Sequence, residues 1–192
     1  MVSMVSMVSM VSMVFIDIID HFYPEDNELR RLLLLHSRQV AEKAVAIADG
    51  HPEWNVDRDF LYNAAMLHDI GIRECDAPSI HCHGTRPYIE HGRIGAEMLR
   101  KEFVSAGLTF DPSPMGEGMI ERLARVCERH TGTGLPGYEP ETLEEEIVCF
   151  ADKFFSKSRP EREKTPEEAC RSLEKFGMEG VVKFKSWCKK FL

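Results

Sequence analysis

Apolar residues recur along most of the chain at intervals of three and four residues, which is the spacing of one buried face of an α-helix. This spacing predicts a short helix from Phe15 that stops at Pro24, and a longer one over about residues 25–49 that stops before Gly50. The inward stripe of the longer helix comprises Leu29, Leu32, Leu33, His36, Val40, Ala44 and Ile47. No segment alternates polar and apolar residues as a half-buried strand would. The pattern therefore predicts an all-α protein.

Residues typical of helix ends place the remaining helices. Asp57 is the expected N-cap of a helix that reaches Ile70, with Gly71 as its end. Thr142 and Thr165 each precede a glutamate by three residues, which is the spacing of a capping box. The other predicted helices cover residues 88–103, 119–130 and 180–191.

Three stretches break the helical pattern. Residues 1–12 are four copies of Met-Val-Ser, whose period drifts against that of a helix, so we treat residues 1–14 as a low-complexity tail and residues 15–192 as a single domain. A short helix lying on a membrane surface is the alternative for this tail. Residues 72–87 contain two prolines and show no period, which predicts a long loop of the kind that forms lids and binding sites. Residues 111–118, rich in proline and glycine, are expected to form another loop.

Composition narrows the class of protein and its partners. The chain has 192 residues, 43% hydrophobic and 29% charged, as expected of one soluble globular domain. The net charge of −8 argues against nucleic acid as a general partner, because that binding releases counterions at a basic surface. A local basic pocket for a small phosphate stays open. The six cysteines include no C-x-x-C pair and no secretory leader precedes them, so we expect reduced thiols in a cytoplasmic protein with no membrane partner.

Several polar residues occupy inward helical positions where leucine or valine is expected. They are His36, His68, His91, His130 and Asp152, and Asp69 lies beside His68. One inward histidine is usually a core residue bonded to a carbonyl, but burying each of five such groups unpaired costs about 1–3 kcal/mol or more. We therefore expect the groups to converge on a common ligand. Imidazole and carboxylate together suit Fe, Mn, Zn or Co, and no thiolate is needed.

These residues resemble the signature of the HD superfamily of metal-dependent phosphohydrolases. The segment Leu67-His68-Asp69-Ile70-Gly71 is similar to its HDIG variant, and it lies between His36 and Asp152 in the order that the family shows. The resemblance covers roughly residues 29–160 and implies an all-α HD-domain helical bundle.

Two further segments resemble the extra histidine motifs of dinuclear HD proteins. They are His91-Gly92-Arg93-Ile94-Gly95-Ala96 and His130-Thr131-Gly132. Such motifs occur in the bacterial HD-type hydrolases that split diadenosine tetraphosphate symmetrically.

The resemblance implies a role for each residue. One metal ion would be held by His36, His68, Asp69 and Asp152, and a second by His91 and His130 with Asp69 as the bridge. Two close divalent transition-metal ions depress the pKa of a bridging water and neutralise charge on phosphoryl oxygens. With Asp69 and His68 as the catalytic pair, the expected activity is hydrolysis of a phosphoester or phosphoanhydride in a small, nucleotide-like substrate.

Three cations near these residues are candidates for binding the substrate phosphate, namely Arg73, Arg93 and Lys153. The alternative is that each is solvated or pairs with a neighbouring acid. The diadenosine tetraphosphate hydrolases commonly carry a lysine three residues after the HD aspartate, where this chain has Ile72. That difference puts the specific substrate in doubt and leaves the metal site intact.

Other functions and sites remain open at this point. A related helical His/Asp arrangement supports di-iron oxygenases that cleave small polyols, and a metal-stapled domain could also serve as a non-catalytic ligand sensor. The run His81-Cys82-His83 suggests either a third metal site or a lid that touches substrate, although no further ligand pair flanks it at zinc-site spacing. The aromatic residues Phe184, Trp187 and Phe191 predict core packing or the contact of a homodimer.

Overall fold

The computed structural model describes residues 15–105, 117–133, 136–160 and 162–192. The Met-Val-Ser tail and most of the predicted loop at 111–118 lie outside these ranges. Helices dominate the described residues, so the predicted all-α class is confirmed. They are α1 (15–22), α2 (Glu28–Gly50), α3 (Arg58–Leu67), α4 (His91–Ser105), α5 (Glu117–Arg129), α6 (Leu143–Asp152), α7 (Pro166–Glu174) and α8 (Met178–Phe191).

Side-chain caps fix where four of these helices begin. Asn27 accepts a hydrogen bond from the Arg30 amide at the start of α2, and Asp57 accepts one from the Phe60 amide at the start of α3. Thr142 and Thr165 form complete capping boxes with Glu145 and Glu168 at the starts of α6 and α7. The N-caps predicted at Asp57, Thr142 and Thr165 are therefore confirmed.

Two predicted helix ends are wrong. The α3 helix ends at Leu67 rather than Ile70, because Asp69 leaves helical geometry at φ −105° and ψ 10°. A 3-10 helix, Ile70–Glu74, then carries the chain past Gly71. The α2 helix includes Gly50 instead of stopping before it.

The segment predicted to be a long loop is folded against the core. Strands β1 (Asp76–Ala77) and β2 (Cys82–His83) pair antiparallel, with Asp76 opposite His83 and Ala77 opposite Cys82. The sequence predicts no strand here, because two-residue strands are too short to show alternation. Buried side chains of Ile72, Cys75 and Ile80 hold the segment in place.

The core lies between α2, α3 and α6, and α4 packs along α5. At its far side α8 packs on α6 through an aromatic cluster made of Phe150, Phe154, Phe184, Trp187 and Phe191. Burial of each such side chain stabilises the fold by about 1.5–3 kcal/mol. The aromatic residues of α8 are therefore core residues. Among the described helices, none combines the length and the apolar character needed to cross a bilayer.

Candidate metal centre

Six polar side chains from five helices meet at one buried place in the core. His36 comes from the middle of α2, His68 and Asp69 follow α3, His91 begins α4, His130 follows α5, and Asp152 ends α6. Asp69 and His68 are 0% exposed, and Asp152 retains 15%. The structure thus brings together all six residues that the sequence pattern nominates as metal ligands.

One group of ligand atoms surrounds Oδ2 of Asp69. The Nε2 atom of His36 lies 3.1 Å from this oxygen and 3.0 Å from Oδ1 of Asp152. The Nε2 atom of His68 lies 3.0 Å from the same Asp69 oxygen and 3.6 Å from the same Asp152 oxygen. Each residue of this group offers a ligand atom within 4.8 Å of every other, which is the spacing of atoms that can share one metal ion.

A second group surrounds the other oxygen of Asp69. Its Oδ1 atom lies 3.2 Å from Nε2 of His91 and 3.4 Å from Nε2 of His130. Asp69 therefore presents one carboxylate oxygen to each group. A carboxylate in this position can bridge two metal ions.

The tautomers of three histidines are fixed by the backbone. The Nδ1 atoms of His68, His91 and His130 lie 2.5, 2.5 and 2.6 Å from the carbonyl oxygens of Ala65, Tyr88 and Cys127. A carbonyl oxygen only accepts hydrogen bonds, so each Nδ1 must carry the proton and each neutral ring keeps its lone pair on Nε2. Metal-binding histidines are characteristically oriented by such bonds.

The lone pairs on these Nε2 atoms show whether a cation would fit between the ligand groups. Nε2 of His91 lies 3.0 Å from Nε2 of His130, and two acceptors cannot form a hydrogen bond with each other. Within the described residues, Nε2 of His68 and Oδ1 of Asp69 are buried without a hydrogen-bond partner of good geometry, and Oδ2 of Asp69 has the Lys157 ammonium as its charged neighbour. Leaving such groups unpaired is costly. A divalent metal ion in each group would satisfy them, so the donor set fits two ions.

Burial and charge move the pKa values of these ligands. Burial by itself lowers the pKa of His68, but the carboxylates of Asp69 and Asp152 outweigh it and raise that pKa to about 9. Burial lowers the pKa of His130 to about 3. Burial also raises the pKa of Asp69, yet His68 and Lys157 hold it well below the usual range. Asp69 is thus an anion, and a proton competes with a metal ion for Nε2 of His68.

Two glycines let α4 approach the 3-10 helix that follows Asp69. A Cβ on Gly71 would lie 2.2 Å from the His91 carbonyl oxygen and 2.4 Å from the Gly95 amide nitrogen. A Cβ on Gly95 would lie 3.1 Å from the Gly71 amide nitrogen, and 2.5 Å from Sγ of Cys127 on α5. This close approach places the first residue of α4, His91, beside Asp69.

The three cations nominated for phosphate binding do not share one location. Lys153 lies at the centre, where its Nζ donates to the His130 carbonyl at 2.9 Å and to Asp152 Oδ2 at 3.0 Å. Arg93 instead pairs with Glu90 at 3.0 Å on a half-exposed surface. Arg73 pairs with Glu74 at 3.2 Å and faces a different pocket. Arg73 and Arg93 therefore lie outside the wall of the cavity described next, and their role in phosphate binding stays a prediction.

A cavity of about 340 Å³ opens from the metal centre. Its wall includes ligand residues His91 and Asp152, the aromatic residues Tyr88, Phe155 and Phe176, and the lysines Lys153, Lys157, Lys164 and Lys175. The Nζ atom of Lys157 lies 2.5 Å from Oδ2 of Asp69. Of these lysines, the sequence pattern predicts only Lys153 near the site. One feature of the sequence points to Lys157, because it follows Lys153 by four residues just beyond the end of α6.

The His81-Cys82-His83 run does not form a metal site in the described part of the chain. Cys82 is buried in strand β2, while His81 pairs with Glu28 at 3.0 Å near the surface. Among the described residues, every group of histidine, cysteine and acidic side chains that could hold a metal ion belongs to the centre around Asp69.

Comparison with known proteins agrees with this geometry. The sequence profile of the HD domain matches residues 33–156. Two tRNA (cytidine(56)-2'-O)-methyltransferases, of Thermoplasma volcanium and Picrophilus torridus, are each 30% identical over 65% and 67% of this chain. These matches cover 32% and 33% of the methyltransferases, so the chain spans about a third of their length.

Another relative is closer to this chain in length. The uncharacterized protein MJ0778 of Methanocaldococcus jannaschii is 34% identical over 62% of this chain and 64% of its own. No solved structure matches the chain significantly.

Proposed function

This chain belongs to the HD-domain family, and on that premise we propose that it is a phosphohydrolase that uses two divalent metal ions to cleave a phosphoester or phosphoanhydride of a small, nucleotide-like substrate. One observation carries the proposal. The Nδ1 atoms of His91 and His130 face backbone carbonyl oxygens, so the neutral rings turn their Nε2 lone pairs towards each other at 3.0 Å beside the Asp69 carboxylate, an arrangement that favours a cation.

The chain supplies the ligands and the surroundings for this reaction. When bound, two divalent ions supply a water of lowered pKa and neutralise charge on the phosphoryl oxygens. Asp69 holds the two ligand groups in register because each of its oxygens faces one group. Lys153 and Lys157, on the cavity wall beside the ligands, provide ammonium groups for phosphoryl oxygens.

The cavity supports a substrate about the size of a mononucleotide. Its volume of about 340 Å³ is near the lower end of small-molecule sites, which hold about 300–1,000 Å³. An extended dinucleoside polyphosphate would not be enclosed, so the diadenosine tetraphosphate hydrolases are a poor guide to the substrate. The methyltransferase activity named for two relatives is not part of this proposal, because the chain spans only about a third of each.

Protein purified without added metal is expected to retain transition metal and to release phosphate from nucleotides. Elemental analysis should find close to two ions per chain, from the set Fe, Mn, Zn and Co, because both ligand groups are preformed. A phosphate-release screen over mono-, di- and cyclic nucleotides then tests activity. Metal-loaded protein that is inert in this screen would contradict the proposal. If the protein instead consumes oxygen when given a small polyol, the di-iron oxygenase would be favoured.

His130→Ala is expected to leave one metal ion per chain and to reduce phosphate release by about a hundredfold or more. The substitution removes one ligand of the group around Oδ1 of Asp69 and none from the group around Oδ2. Even residues that only orient metal ligands are worth about 10–100-fold. Metal content and turnover should be measured on the same preparation, with His51→Ala as the control, because His51 is partly exposed and belongs to neither ligand group. Two bound ions in His130→Ala would refute the assignment of this histidine.

A further inference from the structure

The cavity beside the metal centre has a wall that the HD-domain match does not cover. That match ends at residue 156, whereas Lys157, Lys164, Lys175 and Phe176 come from the segment that leads through α7 towards α8. The Lys164 amide donates to the Phe154 carbonyl at 2.8 Å, which draws this segment back across the end of α6. Residues beyond the matched family profile therefore complete the cavity.

The lysines of this wall outnumber the acids that compensate them. Lys157 pairs with Asp69, and Lys153 pairs with Asp152. In the described ranges, neither Lys164 nor Lys175 forms an ion pair with a carboxylate. The half-buried Nζ of Lys164 donates only to the backbone carbonyls of Lys153 at 3.2 Å and Phe155 at 3.4 Å.

The environment of Lys164 reflects this excess of positive charge. Burial lowers its pKa, and the ammonium groups of Lys153 and Lys175 lower it further against the opposing effect of Asp152. Metal ions at the ligand groups would add more positive charge next to the same cavity. An anion that reaches beyond the metal centre would relieve this repulsion.

We propose that Lys164 and Lys175 form a second anion-binding subsite in this cavity, which takes a phosphoryl group of the substrate other than the one that is hydrolysed. The inference rests on the proposed function and narrows its substrate class to compounds with two phosphoryl groups, such as nucleoside diphosphates. Phe155 and Phe176 line the same cavity and provide an apolar wall for the nucleoside.

A purely structural role for Lys164 is the competing explanation. Its ammonium lies at the C-terminal end of α6, where lysines commonly bind free carbonyls and stabilise the helix. That role predicts lower thermal stability when Lys164 is replaced and no change in ligand preference. Lys175 forms no such hydrogen bond to α6. If replacing either lysine changes the ligand preference in the same way, helix capping cannot be the cause.

Calorimetric titration with adenosine 5'-diphosphate and adenosine 5'-monophosphate separates these explanations. Protein as purified, the variants Lys164→Gln and Lys175→Gln, and the control Lys189→Gln should be compared at one salt concentration. Lys189 is an exposed lysine of α8 away from the cavity. We expect the diphosphate to bind at least about tenfold more tightly than the monophosphate in wild type and control, because one charged hydrogen bond is worth about that much. In each cavity variant this ratio should fall severalfold.

Adenosine 5'-diphosphate chelates metal ions more strongly than the monophosphate, but this affects every variant alike, so the change in the ratio between variants isolates the effect of the two lysines. A wild type without preference, or a ratio unchanged in both cavity variants, would overturn the subsite. If Lys164→Gln does not fold, the ratio in Lys175→Gln decides, since Lys175 is exposed at the cavity rim. If the ratio falls as expected but no nucleotide is hydrolysed, the subsite is supported and only the phosphohydrolase proposal is contradicted. If nucleotides are hydrolysed but the ratio is unchanged, the phosphohydrolase proposal is supported and the subsite is contradicted.

Discussion

Asp69→Ala is expected to remove both metal ions and to reduce phosphate release by well over a hundredfold. Its two oxygens face the two ligand groups, so no other single substitution in the described chain disturbs both in the same way. Partners that merely orient ligands are worth about 10–100-fold, and loss of a shared ligand should exceed that. Elemental analysis and a phosphate-release assay on the same sample measure both effects.

The Asp69 experiment needs a variant that separates chemistry from folding. Removing the carboxylate leaves the buried ammonium of Lys157 without its partner, which costs about 3–5 kcal/mol in comparable cases. Asp69→Asn keeps the shape of the side chain, and the exposed Asp59→Asn on α3 is the matched control. Circular dichroism should show that each variant is folded before activity is compared. Wild-type turnover by folded Asp69→Asn would refute the metal centre.

Five of the six candidate metal ligands could be nominated from sequence because each interrupts a regular apolar stripe, and Asp69 directly follows one of them. His36 lies among Leu33, Val40 and Ala44 on one face of α2, so the helical period alone turns it inward. The same reasoning applies to His68 after α3. Convergence of these faces on one point could not be predicted from period alone, because it depends on how the helices pack.

The cations around the candidate site are harder to predict from sequence, because the direction in which each side chain points must be known. Arg93 lies two residues after His91, and residues two apart on a helix do not share a face. It therefore pairs with Glu90 outside the cavity while His91 points inward. Lys164 lies in an irregular segment, where no period indicates direction, and only the folded chain brings it to the site.

Burying the charged and polar groups of this centre costs free energy, so the stability of the fold and the geometry of the site depend on each other. A fully buried carboxylate is tolerated at Asp69 because the ammonium of Lys157 and four imidazole rings surround it. These groups are held by five different segments. Displacement of one helix by a fraction of an ångström should therefore affect stability and metal binding together.

Gly71→Ala tests whether stability and metal binding both depend on the position of α4. The added Cβ would meet backbone atoms, at 2.2 Å from the His91 oxygen and 2.4 Å from the Gly95 nitrogen, and backbone cannot rotate away as a side chain can. Overpacking typically costs about 1–3 kcal/mol, and we expect the upper end of that range. For a chain of this size, that corresponds to a melting temperature lower by about 6–12 °C. Thermal and urea denaturation measure the loss.

Gly50→Ala provides the matched control for this substitution. Gly50 lies at the end of α2 with nothing within 4 Å of its added Cβ, so alanine there should be neutral or stabilising by up to about 1 kcal/mol. Because Gly71→Ala pushes α4 away from Asp69, it should also weaken the second metal ion, bound by His91 and His130, more than the first. A Gly71→Ala protein with wild-type stability and two tightly bound ions would show that the close approach of α4 does not position His91.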